Sequence, residues 1–282
     1  MKKHRPLRQE ITFVFVLLGA VIMTYPLLWM LGSSFKPVFC IFNDSASLWP
    51  SPFTLDNYIK GWKGISGITF SAFYLNSFVL VALTIAGNVV SCSLTAYAFA
   101  RIEFTLKSLF FALMLGTLML PHHVTLIPQY VFFYKLGWIN TFLPLTVPKF
   151  FATDAFFIFL MVQFIRGLPL ELDNAAKMDG CNHAQTFVRI IFPLLLPALV
   201  TTAIFTFIWT WNDFFSQAIY ISDPHLFTVT LALRSFVDTS GGESLWGSLF
   251  AMSTLSLVPI FAFFVIFQRF LVDGIATSGI KG

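Results

Sequence analysis

Long stretches without a charged residue dominate the chain. Ile11–Phe35, Gly64–Ala100, Ser108–Tyr134, Ile190–Asn212 and Ser244–Gln268 contain no Asp, Glu, Lys or Arg, and Phe150–Ile165 contains only Asp154. A membrane-crossing helix needs about 20 predominantly apolar residues. Each stretch has room for one, with Lys149 and Arg166 placed to snorkel from the ends of the shortest. The expected cores are 11–32, 75–99, 108–120 with some extension, 148–166, 198–220 and 247–269. Pro121 and Pro128 should bend or end the third. The pattern predicts an all-α polytopic membrane protein with six transmembrane helices. It leaves a tail at 1–10, a membrane domain over 11–272 and a tail at 273–282. Three intervening segments differ in character: 33–72 is rich in Trp, Pro and Ser, 121–147 is aromatic with room for an interfacial helix, and 166–197 is a sizeable loop.

Composition agrees with lipid as the solvent. Of the 282 residues, 57% are hydrophobic and 11% charged, against about a quarter charged in soluble domains. Nucleic-acid binding has no support, because no basic cluster accompanies a soluble fold. The placement of cations matters more than the net charge of +4. With the N-terminus inside, Lys2, Lys3, Arg5, Arg8, Arg101, Lys107, Arg166, Lys177, Arg189, Arg269 and Lys281 lie inside. Lys36, Lys60, Lys63, Lys135, Lys149 and Arg234 lie outside. Eleven against six predicts both termini in the cytoplasm and makes 166–197 a cytoplasmic loop. The basic opening Met1–Arg8 runs into apolar sequence without a small-residue cleavage site, so a retained first span is expected. Cys40, Cys92 and Cys181 are far apart and in no metal-ligand spacing, and are read as free thiols.

Local chemistry gives the 166–197 loop a shape. Pro169 suits a first helical position, and Glu171 and Asp173 suit a first turn. Ala175, Ala176 and Met178 continue the helix, and Gly180 can close it in the left-handed conformation. Asn182 with Gln185 three residues on forms a capping box for a second helix, whose apolar face is Phe187, Ile190 and Ile191. Pro193 and Pro197 interrupt it before the next span. Such a helix–Gly–helix can lie in a groove on a partner, or as an elbow on the bilayer surface.

The loop resembles the coupling signature of ABC importer permeases. Asn174-Ala175-Ala176, three residues with Asp179 last, Gly180, nine residues, Ile190, one residue, Phe192 and Pro193 reproduce the spacing of Glu-Ala-Ala, three residues, Gly, nine residues, Ile-x-Leu-Pro. Asn174 stands where Glu is usual and Phe192 where Leu is usual. Further segments resemble the carbohydrate branch: Phe53-Thr54-Leu55-Asp56-Asn57-Tyr58, Ala96-Tyr97-Ala98-Phe99-Ala100-Arg101, Pro128-Gln129-Tyr130, Trp209-Thr210-Trp211-Asn212-Asp213 and the ending Gln268-Arg269 to Lys281-Gly282. The resemblance is to maltose-type permeases without an extra N-terminal domain. It implies the type I importer permease fold in a bacterial inner membrane and a heterodimer with a second homologous permease. It also implies two ATPase subunits carrying ATP and Mg, and an extracytoplasmic sugar-binding protein. Asn174, Ala175, Ala176, Asp179, Gly180, Ile190 and Pro193 would then contact the ATPase, as would the tail residues Ile280, Lys281 and Gly282. Another polar solute as cargo is the alternative within this class, and an ion-coupled secondary transporter and a membrane scaffold or assembly protein are the alternatives outside it.

Other constellations carry two readings each. Trp209, Trp211, Asn212 and Asp213 suit stacking on and hydrogen bonding to a sugar, or an interfacial aromatic belt. Asp154 is an intramembrane carboxylate, a functional feature by default, or the partner of Lys149. Gly87, Asn88, Ser91 and Cys92 suit close helix packing. His122 and His123 diverge by about 100° on a helix and are poor joint metal ligands. No glycine-rich phosphate loop or nucleophile triad occurs, so the chain is expected not to be an enzyme and to bind no cofactor itself.

Overall fold

The computed structural model describes residues 7–43, 47–238 and 245–279. Among them the elements are helical and no strand forms. Among the described residues, four helices are long and apolar enough to cross a bilayer: Thr12–Ser34, Phe70–Arg101, Leu143–Arg166 and Trp246–Gln268. A fifth candidate is the broken pair His183–Leu194 and Leu196–Asn212, bent by 73°. The third apolar stretch yields the 11-residue helix Lys107–Thr117. A helix of that length rises about 16 Å, roughly half of a hydrocarbon core.

Prolines and caps explain the departures from the expected cores. Pro121 is extended and precedes a separate helix, His122–Lys135, which contains Pro128 without ending there. The stretch expected at 198–220 is divided. Its first helix stops at Asn212, where Asp213 turns extended at φ −70° and ψ 104°. The Asp213 carboxylate then accepts from Ser216 N at 3.0 Å and opens the helix Phe215–Tyr220. The fourth span is interrupted at Ala152, φ 55°, between a 3-10 turn over Val147–Phe151 and the helix Ala155–Arg166. The last helix runs from Trp246 to Gly279, well into the expected tail. Ile280, Lys281 and Gly282 lie outside the described residues.

The chain forms two compact units. One comprises Met1–Ser71 and Ala232–Val258. Its organising residue is the buried Asn57, whose Nδ2 donates to Ser34 O at 2.9 Å and Lys36 O at 2.7 Å. Those carbonyls end the Leu7–Ser34 helix, so the Phe53–Tyr58 motif acts as its cap. Gly247 fits because a Cβ there would collide with the Asn57 side chain.

The other unit comprises Ala72–Leu231 and Pro259–Gly282. Its core joins Cys92, Ala96 and Phe99 of the second span with Phe157, Met161 and Ile165 of the fourth, and with Phe187, Ile191 and Leu195 of the loop. Part of the 166–197 loop is therefore built into the core. Asn140, at φ 62°, ties the 121–147 segment to 220–223. Its N–H donates to Tyr220 O at 2.8 Å, and its Oδ1 accepts from Ser222 N and Asp223 N at 3.0 and 2.8 Å.

Candidate functional site

The 168–197 loop contains the helix–Gly–helix that its sequence predicts. The first helix is Glu171–Met178, beginning two residues after Pro169. Pro169 thus precedes the helix and does not occupy its first position, because Leu170 O accepts the first helical bonds, from Asp173 N and Asn174 N. Gly180 has φ +79°. Cys181 N donates to Ala176 O at 2.9 Å and Gly180 N to Lys177 O at 3.0 Å, the paired bonds of a Schellman motif. The next helix starts at once. Gln185 N donates to Asn182 Oδ1 and Asn182 N to Gln185 Oε1, both at 2.9 Å, completing the capping box. A π-helical stretch, Phe187–Ile191, follows, and the chain breaks between Pro193 and Pro197.

The first loop helix has two distinct faces. Leu170, Asn174 and Met178, spaced by four, are exposed with Ala175, and Met178 is 89% exposed. Asp179, Gly180 and Pro193 are exposed as well. Ala176 and Asp173 face inward, and Ile190 is half-buried against the core. Below Asp173 the carboxylate meets Arg101, the last residue of the second span, with Nε to Oδ2 at 3.0 Å. These side chains are only 12% and 6% exposed. The Arg101 Nη2 donates to Leu168 O at 2.7 Å. A cavity of about 290 Å³ adjoins the pair, lined also by Tyr97, Lys177, His183 and Thr186.

A second polar cluster lies within the spans. Lys149 Nζ reaches both carboxylate oxygens of Asp154 at 2.9 Å, so the reading of Asp154 as the partner of Lys149 describes its surroundings. Asn88 Nδ2 donates to Asp154 Oδ2 at 2.7 Å and to Thr206 Oγ1 at 3.1 Å, and Ser91 Oγ donates to Lys149 O at 2.6 Å. The polar residues of the second span are thus bonding residues as well as small packing ones. In a low-dielectric interior an unpaired carboxylate would be costly, and the network supplies its partners.

Comparison with known proteins identifies the family. Residues 87–277, which hold the loop, the ion pair and the intramembrane cluster, match the binding-protein-dependent transport system inner membrane component family. The chain belongs to that family. This permease is 37% identical over 96% of its length, and 88% of the relative's, to the probable ABC transporter permease protein YurM of Bacillus subtilis. It is 31% identical to the trehalose/maltose transport system permease protein MalG of Thermococcus litoralis, over 99% of both chains. Its fold matches a solved structure, that of a bacterial ABC transporter involved in the import of the acidic polysaccharide alginate. That match has a TM-score of 0.82 and 20% identity and covers 95% of the permease and 99% of the other chain. The permease therefore has the ABC importer permease fold.

The 209–213 residues of the permease do not converge on one surface. Trp211 is 3% exposed and packs among Tyr74, Phe78 and Phe207 at centroid distances of 5.9, 5.1 and 5.6 Å. Trp209 is 49% exposed beside Phe156, Phe157 and Phe205. Asn212 is exposed and donates to Ile208 O of its own helix at 2.8 Å. Asp213 is half-buried in its capping role.

Sequence reasoning missed the Arg101–Asp173 pair and the buried Gln217. The Gln217 Nε2 donates to Thr210 O at 3.0 Å, and its Oε1 accepts from Thr228 and, at 3.1 Å, Thr230. Arg101 closing a long charge-free stretch was the available signal for the first. Nothing along the chain paired it with a residue in another segment.

Proposed function

We propose that this permease is one subunit of an ATP-driven importer of a sugar or oligosaccharide. It forms half of the translocation path and couples to an ATPase through residues 169–193. The observation that carries the coupling part is the outward face of Leu170, Asn174, Ala175 and Met178 on a loop helix closed by the Gly180 turn. Small and apolar groups exposed outside the spans suit insertion of a helix into a partner's groove. Relatives named for sugar transport support the substrate class: MalG, and the arabinooligosaccharides transport system permease protein AraQ of Halalkalibacterium halodurans, 31% identical over 96% of this chain. The assembly comprises a second homologous permease, two ATPase subunits that bind ATP and Mg, and an extracytoplasmic sugar-binding protein. The tail ending in Ile280, Lys281 and Gly282 contacts the ATPase pair. The six-span reading takes the broken pair as one span and the short helix Lys107–Thr117 as part of another, and it puts both termini in the cytoplasm.

Two measurements test this reading. ATP hydrolysis by the reconstituted complex should rise when sugar-loaded binding protein is added, and uptake should persist after ion gradients are dissipated. Gradient-driven uptake without ATP would favour a secondary transporter. In intact cells, an impermeant thiol reagent should label cysteines introduced at 40–60 and 225–240. Labelling at 175–185 from outside would overturn the orientation.

A further inference from the structure

We infer that the Arg101–Asp173 ion pair is the charged link, beside the apolar packing, through which the 169–193 loop moves the second span. Both are then positioning residues for coupling, an inference that rests on the importer reading above. The loop meets the spans covalently at both ends, through apolar packing of Phe187, Ile191 and Leu195 on the second and fourth spans, and through an ion pair. Its covalent route forward passes a π-helical stretch and Pro193, then turns 73° into Leu196–Asn212, which has Pro197 in its first turn. A helix bent in this way transmits a rigid-body push less directly, because Pro193 and Pro197 donate nothing to the i→i−4 ladder. The polar contact with the second span is the guanidinium of Arg101. One arm meets Asp173 in the first turn of the loop helix, and another holds Leu168 O at the loop's entry. Arg101 ends a continuous 32-residue helix, about 48 Å of rigid rod.

The chemistry suits a switchable link. The pair is almost removed from water, so salt screens it little, and removal of either partner strands a buried charge. A buried pair contributes little net stability but favours one arrangement of the groups it joins. The Arg101 guanidinium reaches the loop at two points, Asp173 Oδ2 and Leu168 O, so a tilt of the loop helix acts on both. The adjoining cavity gives the tilt room. Asp173 faces the span while Leu170, Asn174 and Met178 face away. A force applied to the exposed side therefore arrives at the ion pair.

The test uses the complete reconstituted importer, with Arg101→Gln, Asp173→Asn, Arg101→Lys and the exchanged double variant Arg101→Asp/Asp173→Arg. The readout is sugar-stimulated over basal hydrolysis at matched ATPase content, a ratio that a role in assembly alone does not move. The first two variants should lower the ratio by about 2- to 30-fold, the effect of a residue within a coupling network. Arg101→Lys should fall between these and the parent, and the exchange should recover part of the loss. Parental ratios in both neutral variants would overturn the inference. If those variants fail to assemble, the exchange decides. Assembly recovered together with stimulation supports the link, and assembly recovered without stimulation overturns it. A parental complex indifferent to sugar would overturn the importer reading itself, by a separate measurement.

Discussion

Trp211→Ala is expected to lower the thermal midpoint and the yield of the purified complex, whereas its neighbour Asn212→Ala is expected to leave both unchanged. The indole of Trp211 is buried between Phe207 of its own helix and Tyr74 and Phe78 of the second span. Truncation leaves a cavity and removes three aromatic contacts, at a cost of about 3–5 kcal/mol. Lipid does not offset this loss, since packing is what holds membrane helices together. Asn212 donates only within its own helix, and its side chain is exposed. If it lines the sugar path, its loss removes about 1 kcal/mol of hydrogen bonding to substrate and slows uptake without affecting assembly. Wild-type uptake and sugar preference in Asn212→Ala would return the segment to an aromatic belt. An unchanged thermal midpoint in Trp211→Ala would contradict the packing described above.

Gly180→Val should separate the two halves of the loop and with them ATPase from permease. The space around Gly180 is open, with no atom within 4 Å of a Cβ built there. The cost is therefore in the backbone. At φ +79° a residue with a β-carbon is strained by about 1–2 kcal/mol. Branching at that carbon worsens the strain. Relief requires leaving the left-handed region, which breaks the bonds to Ala176 O and Lys177 O. Asn182 caps the following helix only two residues later, so the capping box would move with them. One to two kcal/mol is a factor of about 5–30 in any equilibrium that needs the intact loop. Purification in mild detergent should show less retained ATPase and less sugar-coupled hydrolysis than in the parent. Gly180→Asn, whose side chain tolerates the left-handed region, should be milder. Full assembly with full coupled hydrolysis in Gly180→Val would refute the role of the loop. The neutral Asn174 sharpens the point. With no carboxylate at that exposed position, docking there should respond weakly to salt.

These expectations depend differently on sequence and on packing. The helix–Gly–helix was legible residue by residue, because caps and left-handed glycines act over three or four positions. The Asn182–Gln185 box and Gly180 needed no tertiary contact to be recognised. Charge-free stretches likewise announced apolar helices, since lipid penalises a charge wherever it sits along a span. Lys149 and Asp154 were within reach because five positions across a short turn leave few ways to miss.

What remained hidden depends on how helices are rotated and stacked. A span that is apolar all round shows no periodic stripe, so its core-facing side cannot be read from spacing. Trp211 and Asn212 are adjacent, yet one is core and the other surface. Residues far apart in the chain pose the same problem. Arg101 with Asp173, Asn88 with Asp154 and Asn57 with Ser34 O each join separate segments. No local propensity encodes such pairs. They form because a buried polar group is costly unless another segment supplies its partner, and only the packed helices decide which segment that is.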